Sequence, residues 1–184
     1  GNNIQAYFKN CFIDGNTDYI FGGGDVLFDA CELSYYGYSN TQKGAYITAA
    51  ADGSTTGYIF RNCYVSANDA WDVAAGYFGR PWRSSATVAF LNTKLQTKDT
   101  VTAVGWNSMS GARPEDANYQ EYNTTVLGSG AADVSARTAG TVKNENPYAD
   151  IVQTFKGWQP FYFVQETDTA VTVKDIAIEG ELKT

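Results

Sequence analysis

Apolar and polar residues alternate over short distances in this chain, in four stretches: Ala6 to Ile13, Asp25 to Leu33, Tyr58 to Val65 and Thr87 to Leu95. A period of two, with Phe, Tyr, Val and Ile inside and Gly, Asn, Asp and Ser at the borders, predicts strands. No amphipathic helix of three turns can be written before residue 112. The stretches share more than their period. Phe8-Lys9-Asn10-Cys11, Phe60-Arg61-Asn62-Cys63 and Phe90-Leu91-Asn92-Thr93 follow one pattern, and Phe28-Asp29-Ala30-Cys31 is a looser copy. Two residues after the fourth place stand Ile13, Val65, Leu95 and Leu33. The copies are separated by 20, 32 and 30 residues. Short strands repeating at such intervals predict a solenoid in which like side chains stack from turn to turn. The fold expected is all-β, a right-handed parallel β-helix. Unequal repeat lengths imply loops of unequal size leaving the coil, where binding clefts are built.

The texture changes near Gly111. Gly111 to Asp116 reads as a loop, Tyr119 to Val126 as a further strand, and Gly128 to Thr141 as a small, polar segment. A short helix is expected between Asn144 and Phe155, after Pro147. Residues 1–160 form the expected coil. Residues 161–184, with the alternating run Ala170-Val171-Thr172-Val173, are a further strand, a tail or a linker.

Composition narrows the chemistry. The 184 residues suffice for one domain with a substantial core. The net charge of −7 lacks the basic footprint of a nucleic-acid partner. No apolar run approaches membrane-spanning length. There is no histidine, so neither a Ser-His-Asp arrangement nor a His-ligated zinc can be assembled from these residues. Three cysteines cannot all pair within the chain. Cys11, Cys31 and Cys63 recur at one repeat position in apolar company, which predicts small buried residues pointing into the coil. Gly22-Gly23-Gly24 is a weak phosphate-cradle candidate because no lysine follows at P-loop spacing.

Two strings carry the candidate site: Gly15-Asn16-Thr17-Asp18-Tyr19-Ile20-Phe21-Gly22 and Gly79-Arg80-Pro81-Trp82-Arg83. Asp18 is followed at once by three apolar residues, so its carboxylate is expected to be half-buried and to need a partner. Arg80 is the candidate, since its planar guanidinium can hold a carboxylate by two hydrogen bonds. The pair can be catalytic, or it can be a structural ion pair.

The first string resembles the G-x-V-D-F-I-F-G signature of pectin methylesterases and the second their G-R-P-W signature. Ala45-Tyr46-Ile47-Thr48-Ala49-Ala50, Gly105-Trp106-Asn107-Ser108-Met109-Ser110-Gly111 and Tyr119-Gln120-Glu121-Tyr122-Asn123 match in the same order. The resemblance runs from about Tyr7 to about Pro160 and implies the same β-helix. It implies a carboxylic ester hydrolase that releases methanol from methyl-esterified homogalacturonan, with Asp18 as nucleophile and Arg80 as its hydrogen-bond partner. Phe21, Trp82 and Met109 would line the substrate cleft; the alternative for each is ordinary packing. No cofactor or metal is implied. The expected protein is a secreted, periplasmic or cell-surface monomer with no nucleic-acid or membrane partner.

Departures from the family pattern keep other readings open. Gly23 and Gly24 replace the last two residues of the usual G-N-A. The family's acid/base aspartate lies in a Gln-Asp-Thr string one turn before the nucleophile, with oxyanion-stabilising glutamines there and upstream. The residues before Asp18 contain no such string. The sequence therefore reads as the C-terminal part of such a domain, without its first turns. Alternatives are a non-catalytic β-helical binding or adhesion module and a pectate or pectin lyase on the same fold.

Overall fold

Each alternating stretch folds as two strands joined at a corner, not as one strand. The computed structural model describes residues 4–37, 44–68 and 75–158. In the first turn, β1 (Gln5–Lys9), β2 (Phe12–Gly15) and β3 (Thr17–Gly22) run along three sides of a coil. The second turn is β4 (Asp25–Asp29), β5 (Glu32–Tyr35) and β6 (Tyr46–Ala50). The third is β7 (Tyr58–Arg61), β8 (Tyr64–Ala67) and β9 (Tyr77–Gly79). β10 (Thr87–Leu91) and β11 (Lys94–Leu95) follow, then β12 (Asn118–Tyr122) and β13 (Thr125–Val126). Like strands pair in parallel, giving sheets ordered β1-β4-β7-β10-β12, β2-β5-β8-β11-β13 and β3-β6-β9. This is the expected parallel β-helix. A short antiparallel strand, β14 (Gly130–Ala131), closes the second sheet on β13.

The corner between the first two sides explains the repeat. Asn10, Ala30, Asn62, Asn92 and Asn123 all have φ between 52° and 56°, the left-handed region that asparagine tolerates better than most residues. One such residue turns the chain from one sheet to the next. Tyr119 to Val126, expected as one strand, is accordingly broken at Asn123. The Asn92 amide donates to the Asn62 side-chain oxygen (3.2 Å), and Asn123 donates to Asn92 (2.9 Å).

Inside the coil the repeat positions fall into register. Phe8, Phe28, Phe60 and Phe90 pair in sequence, with rings stacked at 5.1, 4.5 and 4.4 Å and tilted by no more than 10°. Each such pair adds roughly 0.5–1.5 kcal/mol beyond its area burial. Cys31 and Cys63 are buried and Cys11, on the outermost turn, is partly covered; all three are free thiols. The neighbouring Cys31 thiol and burial together push the Cys63 thiol up. Glu121 takes the next place in the phenylalanine column. Its carboxylate and the Arg137 guanidinium, 1% and 3% exposed, meet at 2.8 Å beneath the stack. Each ion is tolerated there because the other neutralises it and because Arg137 also donates to the Thr102 and Ala103 carbonyls.

The first sheet is apolar on its outer face too. Leu27, Ile59, Ala89 and Leu91 are covered by Ile151 and Phe155. They belong to the one-turn helix α1 (Ile151–Thr154) and the residue after it, close to the place expected for a helix. Asp150 caps that helix by accepting from the Gln153 amide at 2.9 Å. The proposed division at residue 160 and the run Ala170 to Val173 lie outside the described residues.

Candidate active site

The third sheet carries the site. Along β3 and β6, Thr17 pairs with Tyr46 but Ile20 with Thr48, so β3 holds one extra residue. This is a β-bulge, a device that re-aims a side chain. Asp18 lies in it with φ 53°, an uncommon conformation for a residue other than glycine. Beyond the bulge, Gly22 and Gly24 have φ of 100° and 136°, so those glycines serve the chain path rather than a phosphate.

Arg80 follows β9, two strands away from Asp18. Parallel strands stand about 4.8 Å apart, so the arginine side chain must reach across β6. It does so as a fork: Nε donates to Asp18 Oδ1 at 2.9 Å and Nη2 to Oδ2 at 2.7 Å. The two side chains are 22% and 17% exposed, sheltered yet in contact with solvent. The sequence expectation that the two lone charges touch is met in bidentate geometry.

The guanidinium carbon lies 4.1 Å from the centre of the Tyr46 ring. Tyr46 stacks on Tyr77 at 5.0 Å, with the rings within 10° of parallel. Burial and the neighbouring Tyr46 push the Tyr77 phenol up. Asn107 Nδ2 donates to the Tyr46 hydroxyl at 3.0 Å, and the Asn107 backbone amide donates to the Gly79 carbonyl at 3.1 Å. Neither Tyr46 nor Asn107 stands out in sequence as a site residue, because an aromatic in an alternating run reads as packing. The available signal is that both lie within strings shared with the family.

Of the expected cleft residues, Phe21 is 68% exposed and Trp82 38%, values that remove them from the core. Their rings meet edge to face at 6.5 Å. Trp82 also packs under the Arg83 guanidinium at 5.1 Å. Phe21 is on the same strand as Asp18, and Trp82 lies two residues beyond Arg80, so the two chain segments that supply the ion pair also supply the aromatic pair. Met109 is partly buried in a turn closed by reciprocal backbone bonds with Ala112 at 3.0 and 2.9 Å. It stands two residues beyond Asn107, at the end of the segment that reaches the site.

The same two segments thus present an oriented carboxylate and two exposed aromatic rings. Known proteins share both its sequence and its coil. A probable pectinesterase A from Neosartorya fischeri is 38% identical over 138 residues, which are 72% of this chain and 38% of that protein. A putative pectinesterase 14 from Arabidopsis thaliana is 34% identical over 118 residues, covering 62% of this chain and 33% of that protein. The crystal structure of a pectin methylesterase from Aspergillus niger superposes with a TM-score of 0.66 at 30% identity, over 83% of this chain and 47% of that one. The chain thus spans between a third and two-fifths of the length of these curated relatives. The family model described as Pectinesterase matches residues 2–153, a stretch that holds every strand among the described residues and both halves of the ion pair, so the chain belongs to the pectinesterase family.

Proposed function

We propose that this chain carries the nucleophile and part of the substrate cleft of a pectin methylesterase. The enzyme would hydrolyse methyl esters of homogalacturonan to carboxylates and methanol. The observation that carries this reading is the bidentate Asp18–Arg80 pair, presented by a bulge on segments that also carry the exposed aromatic rings of Phe21 and Trp82. The names of the relatives support the substrate class.

In the proposed reaction one Asp18 oxygen attacks the ester carbonyl carbon, and the carbonyl electrons move onto oxygen. A carboxylate oxygen that accepts one hydrogen bond keeps a lone pair for the attack. Collapse of the tetrahedral species expels the methoxy group, which leaves as methanol after taking a proton from an acid. The family's Gln-Asp-Thr string is not among these 184 residues, so on this reading the acid and the oxyanion amides lie outside them. Water then cleaves the acyl–Asp18 anhydride and regenerates the carboxylate. Arg80 fixes the orientation of the carboxylate through its two hydrogen bonds, and the aromatic pair receives the flat C–H faces of the sugar rings. No metal or cofactor enters these steps. The setting proposed is extracellular, with a monomer acting on cell-wall pectin.

The test is methanol release from methyl-esterified polygalacturonan by the full protein. Asp18→Ala should reduce turnover on the order of ten-thousandfold or more, as loss of a nucleophile does elsewhere. Arg80→Lys, which keeps charge but loses the fork, should cost about ten- to a hundredfold. Unchanged release by Asp18→Ala would overturn the mechanism. An unsaturated product without methanol would point to a lyase, and binding without turnover to a carbohydrate-binding module.

A further inference from the structure

We propose that Tyr46 is a positioning residue for this site: its ring is the platform on which the Arg80 guanidinium lies, and through Arg80 it sets the placement of the Asp18 carboxylate. The inference rests on the reading of Asp18 and Arg80 as catalytic. An arginine spanning two strand spacings is held at its head by Asp18 and at its root by the Arg80 backbone amide, which donates to the Thr48 carbonyl at 3.0 Å. Between those points the side chain crosses β6, and the residue beneath the guanidinium is Tyr46. At 4.1 Å from the ring centre, the cation faces the negative surface of the π system, and a partly desolvated site strengthens that attraction.

Tyr46 is itself held on two sides. Tyr77 packs flat against it, and Asn107 fixes its hydroxyl. The Asn107 backbone is tied in turn to the Gly79 carbonyl, the residue before Arg80. A closed circuit of contacts thus runs from Arg80 to Tyr46, to Asn107 and back to Gly79. Its geometry matters because a nucleophile displaced by about 1 Å loses on the order of a hundredfold in rate.

The alternative is that the Tyr46–Tyr77 stack only packs the sheet. Steady-state kinetics on the full protein separate the two. Tyr46→Leu should lower kcat by about ten- to a hundredfold with KM within about twofold of the parent, because the ring acts on the nucleophile and not on the sugar. Tyr46→Phe retains the π face and should restore activity to within about threefold. In an Arg80→Lys background the same Tyr46→Leu change should cost far less, since the planar group it supports is gone. Fluorinated phenylalanines at position 46 keep the shape, and hence folding, while emptying the π face; kcat should fall stepwise with fluorine number. Equal losses in the parent and Arg80→Lys backgrounds, or a flat fluorine series, would overturn the proposal. Asp18→Ala separates this from failure of the underlying reading: if that variant still releases methanol, the reading of the ion pair fails. If it is dead while Tyr46 variants are silent, only the platform fails.

Discussion

Thr48 and Gly79 approach so closely that the smallest side chain is too large. A Cβ on Gly79 would sit 1.9 Å from Thr48 Oγ1 and 2.6 Å from the Thr48 carbonyl oxygen. That contact seats β9 against β6 and so fixes where Arg80 begins its reach toward Asp18. Gly79→Ala should push the two strands apart, costing about 1–3 kcal/mol of stability and at least tenfold in kcat/KM. A urea titration alongside methanol-release kinetics would check both; activity that survives a measured loss of stability would dissociate Arg80 placement from this contact. The chemistry at this scale is partly legible in sequence. Asp18 and Arg80 reveal themselves as charges among apolar neighbours, which need each other once buried. Tyr46 does not, because its role depends on which cation the coil lays over it, and that pairing joins residues from different turns.

At the level of the strand and its corner, Ala30 is the exception in a column of asparagines. Its φ of 52° places an alanine in the left-handed region, which costs roughly 1–2 kcal/mol for an ordinary L-residue. It also interrupts the side-chain ladder between Asn10 and Asn62. Ala30 is exposed, so a longer side chain has room to point outward. Ala30→Asn is expected to stabilise the protein by about 0.5–1.5 kcal/mol, read as a higher urea midpoint with unchanged slope. Ala30→Gly relieves the strain without supplying ladder bonds and adds entropy to the unfolded chain, so it should gain less. Glycine outperforming asparagine would show that strain alone matters at the corner. The repeat itself is visible in sequence because stacking demands like residues at like places. Its corner is not, since alternation looks the same on both sides of a one-residue turn. The fifth copy, at Glu121-Tyr122-Asn123-Thr124, is hidden for another reason: a buried glutamate paired with Arg137 stands where phenylalanine is expected.

Taken as a whole, the coil is a stack of buried aromatic residues, and several carry a phenol that can ionise only at a cost. Burial pushes Tyr58 up to about 12, and burial with the Asp29 carboxylate does the same for Tyr7. Tyr19, Tyr35 and Tyr119 are held well above the ordinary tyrosine range by burial, with the charge of Asp18 adding to the effect on Tyr119. Phenols raised in the folded state keep protons that the unfolded chain has already released. Their contribution is therefore fully present below the unfolded value of about 10, and for Tyr7 and Tyr58 it is lost as pH rises through 12. Stability should then fall steadily above pH 10, with steepening slope as more phenols ionise in the unfolded chain than in the folded one. Phenolate absorbance in the native protein should report only part of the 13 tyrosines before a cooperative alkaline transition releases the rest. Urea midpoints should stay level from about pH 8 until the approach to pH 10 and decline from there to pH 12. If all the tyrosines titrated near their ordinary value while the far-UV β-sheet signal persisted, the aromatic interior would be open to water and the stacked-coil account of stability would fail.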